Sequence, residues 1–134
     1  MKDLGRKDVV AALKDPERQH GVPSAWRPCF EAIIDAFVRA DYGLREPIAG
    51  VVPVQEGVSV QVEHYIRDYG EKLAPLSDET WESSVCQWME GYWDVLVDLN
   101  TAAEGRSDMV LSARVQENEV TGSVSIQVCA VYVP

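Results

Sequence analysis

The sequence predicts an α+β fold, with N-terminal helices packed on one face of a four-stranded antiparallel sheet. Two observations carry this expectation. Apolar residues recur at helical spacing in the first half of the chain, and alternate with polar ones in the second half. A third sets the scale: 134 residues, 46% hydrophobic and 25% charged, fit one soluble domain with a core of its own. The expected organisation is a single domain over residues 1–134, with a helical half (1–70) and a β half (71–134).

Residues 6–14 predict a short helix, with Val9, Val10 and Leu13 on one side and Asp15-Pro16 ending it. Gly21-Val22-Pro23 breaks the chain. Ser24 then suits an N-cap, and Pro28 falls in the first turn, where proline is tolerated. Trp26, Phe30, Ile33, Ile34, Phe37 and Val38 follow at helical spacing, and Gly43 suits the stop. Residues 44–57, with Pro47, Gly50, Pro53 and Gly57, read as a loop. In the next run Val58, Val60 and Val62 alternate like a strand. The longer stripe Val58, Val62, Tyr65, Ile66 and Tyr69 favours a helix ending at Gly70. Leu73 to Thr80 is a turn, with Ser77-Asp78 placed to cap a helical turn.

Four strands are expected over about 83–89, 92–100, 108–117 and 121–133, with Glu90-Gly91 as the first tight turn. Trp93, Val95, Val97 and Leu99 share one face, with Met109, Leu111, Ala113 and Val115 on the same side. Asp94, Leu96, Asp98 and Asn100 share the other, with Arg114 and Gln116. In the last run Val124, Ile126, Val128, Ala130 and Tyr132 alternate with Ser123, Ser125, Gln127 and Cys129. One face is therefore core and one is wet. The expected core of this meander is Trp93, Val95, Val97, Leu111, Val115, Val124, Ile126 and Val128.

Charge is distributed unevenly. Residues 1–67 carry nine Lys/Arg against ten Asp/Glu, and residues 68–134 carry three against twelve, within a net charge of −10. Between Lys72 and Arg106 there is no basic side chain, while Asp78, Glu79, Glu82, Glu90, Asp94, Asp98 and Glu104 fall in that gap. Such a surface disfavours nucleic acid and anionic membranes and attracts a basic protein. No apolar run reaches the roughly 20 residues of a membrane span, and the N-terminus lacks a signal-peptide core, which points to the cytoplasm. Cys29, Cys86 and Cys129 form no CxxC pair and are expected to be free thiols.

The stretch Glu104-Gly105-Arg106-Ser107-Asp108 is the candidate site, with Asp94 and Asp98 as further candidate binding residues. As a hairpin closure it explains every residue. Gly105 supplies backbone freedom, Ser107 and Asp108 bond nearby amides, and Arg106 finds a carboxylate. The sharper alternative makes Arg106 an anion clamp and Ser107 a nucleophile. That alternative lacks a base, because His20 and His64 both lie in the helical half, and no GxSxG elbow occurs. His64 and Asp68 share a helix face at a spacing that suits a surface ion pair better than a metal. No catalytic residue, cofactor or metal site is assigned. Trp81, Trp88 and Trp93 are expected in the core rather than as a stacking platform.

The segment YWDVLVDLNTAAEGRSDMVLSARV, with a terminal VYVP, resembles a bacterial domain family of unknown function over about residues 47–134. EGRSD and VYVP are the most specific parts. The resemblance implies a small bacterial cytoplasmic protein and supplies no activity, cofactor or catalytic residue. Asn100 stands where that pattern has a tryptophan. Charge asymmetry, small size and the missing catalytic constellations point to a non-enzymatic protein-binding module, inhibitor-like or immunity-like, that docks a basic partner. One alternative is a small ligand-binding or hydrolase-like domain using the Arg106 loop. The other is a self-associating structural protein, pairing as a homodimer through the uncharged edge of Val120–Val133.

Overall fold

The computed structural model describes residues 9–134. Its elements are β1 (His20–Gly21), α1 (Arg27–Val38), α2 (Glu56–Tyr69), β2 (Leu73–Ala74), β3 (Val85–Trp88), β4 (Trp93–Thr101), β5 (Gly105–Glu117) and β6 (Val124–Tyr132), with single 3₁₀ turns at Ser24–Trp26 and Asp78–Glu82.

The helix expected over 6–14 is not present at residues 9–14; residues 6–8 lie outside the described chain. Val9–Leu13 instead runs as an irregular strap whose backbone bonds are tertiary. The Val10 amide donates to the Ser24 hydroxyl at 2.7 Å, and the Ser24 amide donates to the Val10 carbonyl at 2.9 Å. The Leu13 carbonyl accepts the Trp93 indole N–H at 2.9 Å. Lys14 pairs with Glu117 at 3.0 Å and stands over the Trp88 ring. These partners compete with local helical bonds, and Val9 and Leu13 stay exposed.

Ser24 caps no helix, because its hydroxyl serves that strap. α1 begins with Pro28 in its first turn and buries Phe30, Ile33, Ile34, Ala36 and Phe37. It stops at Val38, ahead of the expected Gly43. Ala40 adopts a left-handed φ of 66°. Its amide bonds the Phe37 carbonyl, while the Asp41 amide bonds Ala36. This is the two-bond helix closure usually built on glycine. Ala40→Gly is therefore expected to raise stability by about 1 kcal/mol in urea denaturation, since it relieves a Cβ held in the left-handed region. α2 ends as expected at Gly70, φ 87°, and buries Val62 and Ile66.

The sheet has six strands rather than four, all antiparallel, in the order β1-β3-β4-β5-β6. β2 pairs with the far end of β4, so β2 and β3 occupy successive stretches of one β4 edge. Two-residue strands such as β1 and β2 are too short to show alternation in sequence. The expected succession of β3 to β6 holds, as does the tight turn, where Glu90 and Gly91 both have positive φ.

The register of β4 and β5 is as the alternation dictates. Trp93 faces Val115, Val95 faces Ala113, and Val97 faces Leu111, all buried. In β6 the alternation breaks. Ser112 pairs with Ala130 but Ala113 pairs with Val128, so Cys129 is an extra residue. The bulge turns Val131 into the core, fully buried, while Ala130 and Tyr132 are only half-buried. Val124, expected in the core, is also half-buried. Residues of both helices and of the Trp93 face form one apolar cluster. Trp81 and Trp93 are core, as expected, while Trp88 is half-buried against it: Trp93 meets Trp26 and Trp88 edge-on at 5.2 and 4.7 Å, and Trp81 packs near Phe30.

The outer edge of β6 is engaged by the chain itself. The Ile126 amide donates to Gly50 and its carbonyl accepts the Val52 amide, each at 2.8 Å. Gln61 of α2 bonds both the amide and the carbonyl of Val131, and the Val133 amide donates to the Tyr65 hydroxyl. A second copy adding a strand here would have to displace these bonds. The Ile126 and Val131 amides are accordingly expected to resist hydrogen exchange equally at low and high protein concentration.

All three cysteines are free. Cys86 and Cys129 lie on β3 and β6, three strand spacings or about 14 Å apart, too far for a disulfide. Burial pushes the Cys86 thiol up to about 12 and also raises Cys129, which is nevertheless exposed. Alkylation at neutral pH is expected to modify Cys129 first and Cys86 only on unfolding.

Candidate functional site

The EGRSD stretch does not form one loop. β5 begins at Gly105, paired with Thr101, so the turn itself is Ala102–Glu104 and Arg106, Ser107 and Asp108 are strand residues. Gly105 takes φ 73°, the left-handed conformation the turn requires. Alternation then separates the neighbours. Ser107 points to the core face with Met109, while Arg106 and Asp108 belong to the opposite face.

Ser107 is buried. Its hydroxyl donates to the Leu99 carbonyl at 2.9 Å and accepts the Met109 amide at 3.1 Å. Its proton and one lone pair are thus taken by the backbone beside an irregularity in the β4–β5 pairing. This is structural work.

Glu104 accepts hydrogen bonds from the Tyr69 hydroxyl at 3.0 Å and the Thr101 hydroxyl at 2.9 Å. The Asp108 amide donates to the Tyr69 oxygen at 3.2 Å. That amide draws the phenol's pKa down, but burial and the Glu104 carboxylate outweigh it, so Tyr69 sits above its ordinary value. This cluster ties the end of α2 to the β4–β5 turn. Arg106 is not the expected partner of Glu104 or Asp108: among the described residues it makes no ion pair within 4.0 Å.

The remaining candidates lie apart from each other. Asp98 is held by the Asp78–Glu82 turn: its carboxylate accepts from Ser83, its carbonyl from Thr80, and its amide donates to Ser84 at 2.9 Å. Asp94 is exposed near the other end of β4, opposite Arg114, with which it forms no ion pair. Arg114 stacks 3.9 Å over the Tyr92 ring instead. The expected His64–Asp68 pair is also absent; the ion pair on that helix is Glu63–Arg67. Among the described residues no group of three His, Cys, Asp or Glu side chains could hold a metal.

What the fold does build around Arg106 is a cleft of about 720 Å³. Its floor is a row across three strands, because Ala74 of β2 pairs with Asn100 of β4, and Asn100 with Arg106 of β5. The Asp78–Glu82 turn supplies one wall with Glu79, Thr80 and Glu82, and Ser77 and Ser83 flank it. Of the sequence candidates Gly105 and Arg106 line this space, and Arg106 is the one with a side chain to offer. Nothing in the spacing of Asn100, Glu79 and Glu82 marks them as a site. Alternation places Asn100 on the wet face, where Ser77, ahead of the Asp78–Glu82 turn, bonds it.

Residues 34–134 match a domain of unknown function, DUF7668. The chain belongs to that family. No curated protein and no solved structure matches it. The DUF7668 match begins nearer the N-terminus than the resemblance through EGRSD and VYVP, and takes in α2 and strands β2 to β6 whole. Every residue lining the cleft therefore lies within the DUF7668 region of this chain. No helix among the described residues is long and apolar enough to cross a membrane.

Proposed function

We propose that this DUF7668 protein is a small non-enzymatic binding module of the cytoplasm, inhibitor-like or immunity-like, that docks a basic protein partner. One observation carries the reading. Of the seven carboxylates between Lys72 and Arg106, none is within ion-pair distance of a cation among the described residues, and Asp78, Glu79, Glu82, Glu90, Asp94 and Glu104 are exposed. The ion pairs that the described chain does make all draw their cations from the first half. Uncompensated carboxylates add to a negative field that raises the encounter rate with a basic surface. The engaged hydroxyl of Ser107 supports a binding role over a catalytic one.

The test is capture of partners from native lysate at ~0.05 M and ~0.5 M salt, where the screening length falls from well over 10 Å to under 5 Å. The parent is compared with a variant carrying Asp78→Asn, Glu90→Gln and Asp94→Asn. A basic protein should be retained at low salt, released at high salt and missed by the variant. Retention that is indifferent to salt and to the three substitutions would contradict the reading.

A further inference from the structure

The cleft holds two hydrogen-bond donors that the fold leaves unanswered. Asn100 is 5% exposed, and its Oδ1 accepts the Ser77 amide at 3.1 Å. That bond fixes the amide's orientation, because only the oxygen can accept from an N–H. The Nδ2 group then has no partner among the described residues, yet it is not sealed from solvent, since the one side-chain polar atom both sealed and unpartnered is Arg114 Nε. Asn100 lines the cleft, so its free donor opens there. Within the protein this donor has no acceptor, and a ligand oxygen in the cleft supplies one.

Arg106 is the cross-strand neighbour of Asn100, on the same face and lining the same space, and it too lacks a carboxylate partner. Directly opposed residues have Cβ atoms about 5 Å apart, close enough for both side chains to reach one carboxylate. Glu79 and Glu82 line the same cleft, both exposed and without an ion-pair partner among the described residues. A bare anion would gain from the floor and lose to these carboxylates. A ligand with a carboxylate at one end and a cation at the other satisfies both.

We infer that the Asn100–Arg106 cleft binds a small zwitterion, an α-carboxylate held by Asn100 and Arg106 with a cationic group facing Glu79 and Glu82, as in a basic amino acid or the basic C-terminus of a short peptide. Glu79 and Glu82 are shared with the partner-docking reading, whereas Asn100 and Arg106 play no part in it, and the test leaves Asp78, Glu90 and Asp94 untouched.

The experiment is an NMR titration of the isotope-labelled protein with L-lysine, lysinamide, acetate and the tripeptide Gly-Gly-Lys. L-lysine or the tripeptide should give saturable shifts confined to residues 74–83 and 100–106. Lysinamide, which lacks the carboxylate, and acetate, which lacks the cation, should each bind at least tenfold more weakly. The tighter of the first two probes distinguishes a free amino acid from a chain terminus. Asn100→Asp keeps the acceptor for Ser77 but replaces the free donor with a charged acceptor, and should weaken lysine binding at least tenfold while the spectrum stays folded. Arg106→Gln should do the same. Equal binding of lysine and lysinamide, undiminished binding by Asn100→Asp, or no saturable shift up to ~10 mM would overturn the assignment.

Discussion

Replacing Val97 with Asp is expected to destabilise the protein by on the order of 4 kcal/mol or more. Val97 is fully buried at the middle of β4, opposite Leu111. A carboxylate there has no cation to pair with, so it must either ionise in an apolar medium or take up a proton at neutral pH. Against a total stability of about 5–15 kcal/mol, that change leaves much of the chain unfolded. Asp94→Asn, on the exposed face of the same strand, should stay within about 0.5 kcal/mol. Urea denaturation of the two variants beside the parent checks the pair. A tolerated Val97→Asp would mean that the buried face of the sheet is the other one.

Trp93→Ala carries the next largest expectation, a loss of about 3–5 kcal/mol. Trp93 joins three parts of the chain. Its ring meets Trp26, ahead of α1, and Trp88 of β3, and its indole N–H holds the strap through the Leu13 carbonyl. Truncation removes the ring contacts and leaves a cavity that rigid strands cannot close. Trp93→Phe keeps an aromatic ring and forfeits the Leu13 bond, so it should cost markedly less than the alanine. Equal losses from the two substitutions would show that the ring contacts contribute little.

The elements legible in the sequence are those whose signal is local and periodic. α2 shows a long apolar stripe and a glycine stop, and β4 and β5 alternate except at Leu96 and Val110, so their type and main buried face follow from the residues. The misses share a physical cause. Local propensity predicts a helix through Val9–Leu13, but the bonds of this strap run to Ser24 and Trp93 across the fold. α1 closes on Ala40, a residue with no turn signature, held left-handed by two backbone bonds. The Cys129 bulge shifts β6 by one residue, which no alternation count foresees. At the candidate site, Arg106 was legible as the first cation after a long gap. Asn100 was not, because the bond that fixes its amide comes from Ser77, distant in sequence.

The affinity for the basic partner isolated by capture, measured calorimetrically over a salt series, bears most directly on the proposed role. The uncompensated carboxylates between Lys72 and Arg106 predict an association constant that falls at least tenfold from ~0.05 M to ~0.3 M salt, and a much flatter dependence when Asp78, Glu90 and Asp94 are neutralised. An affinity equal at both salt concentrations and unchanged by the neutralised variant would contradict it.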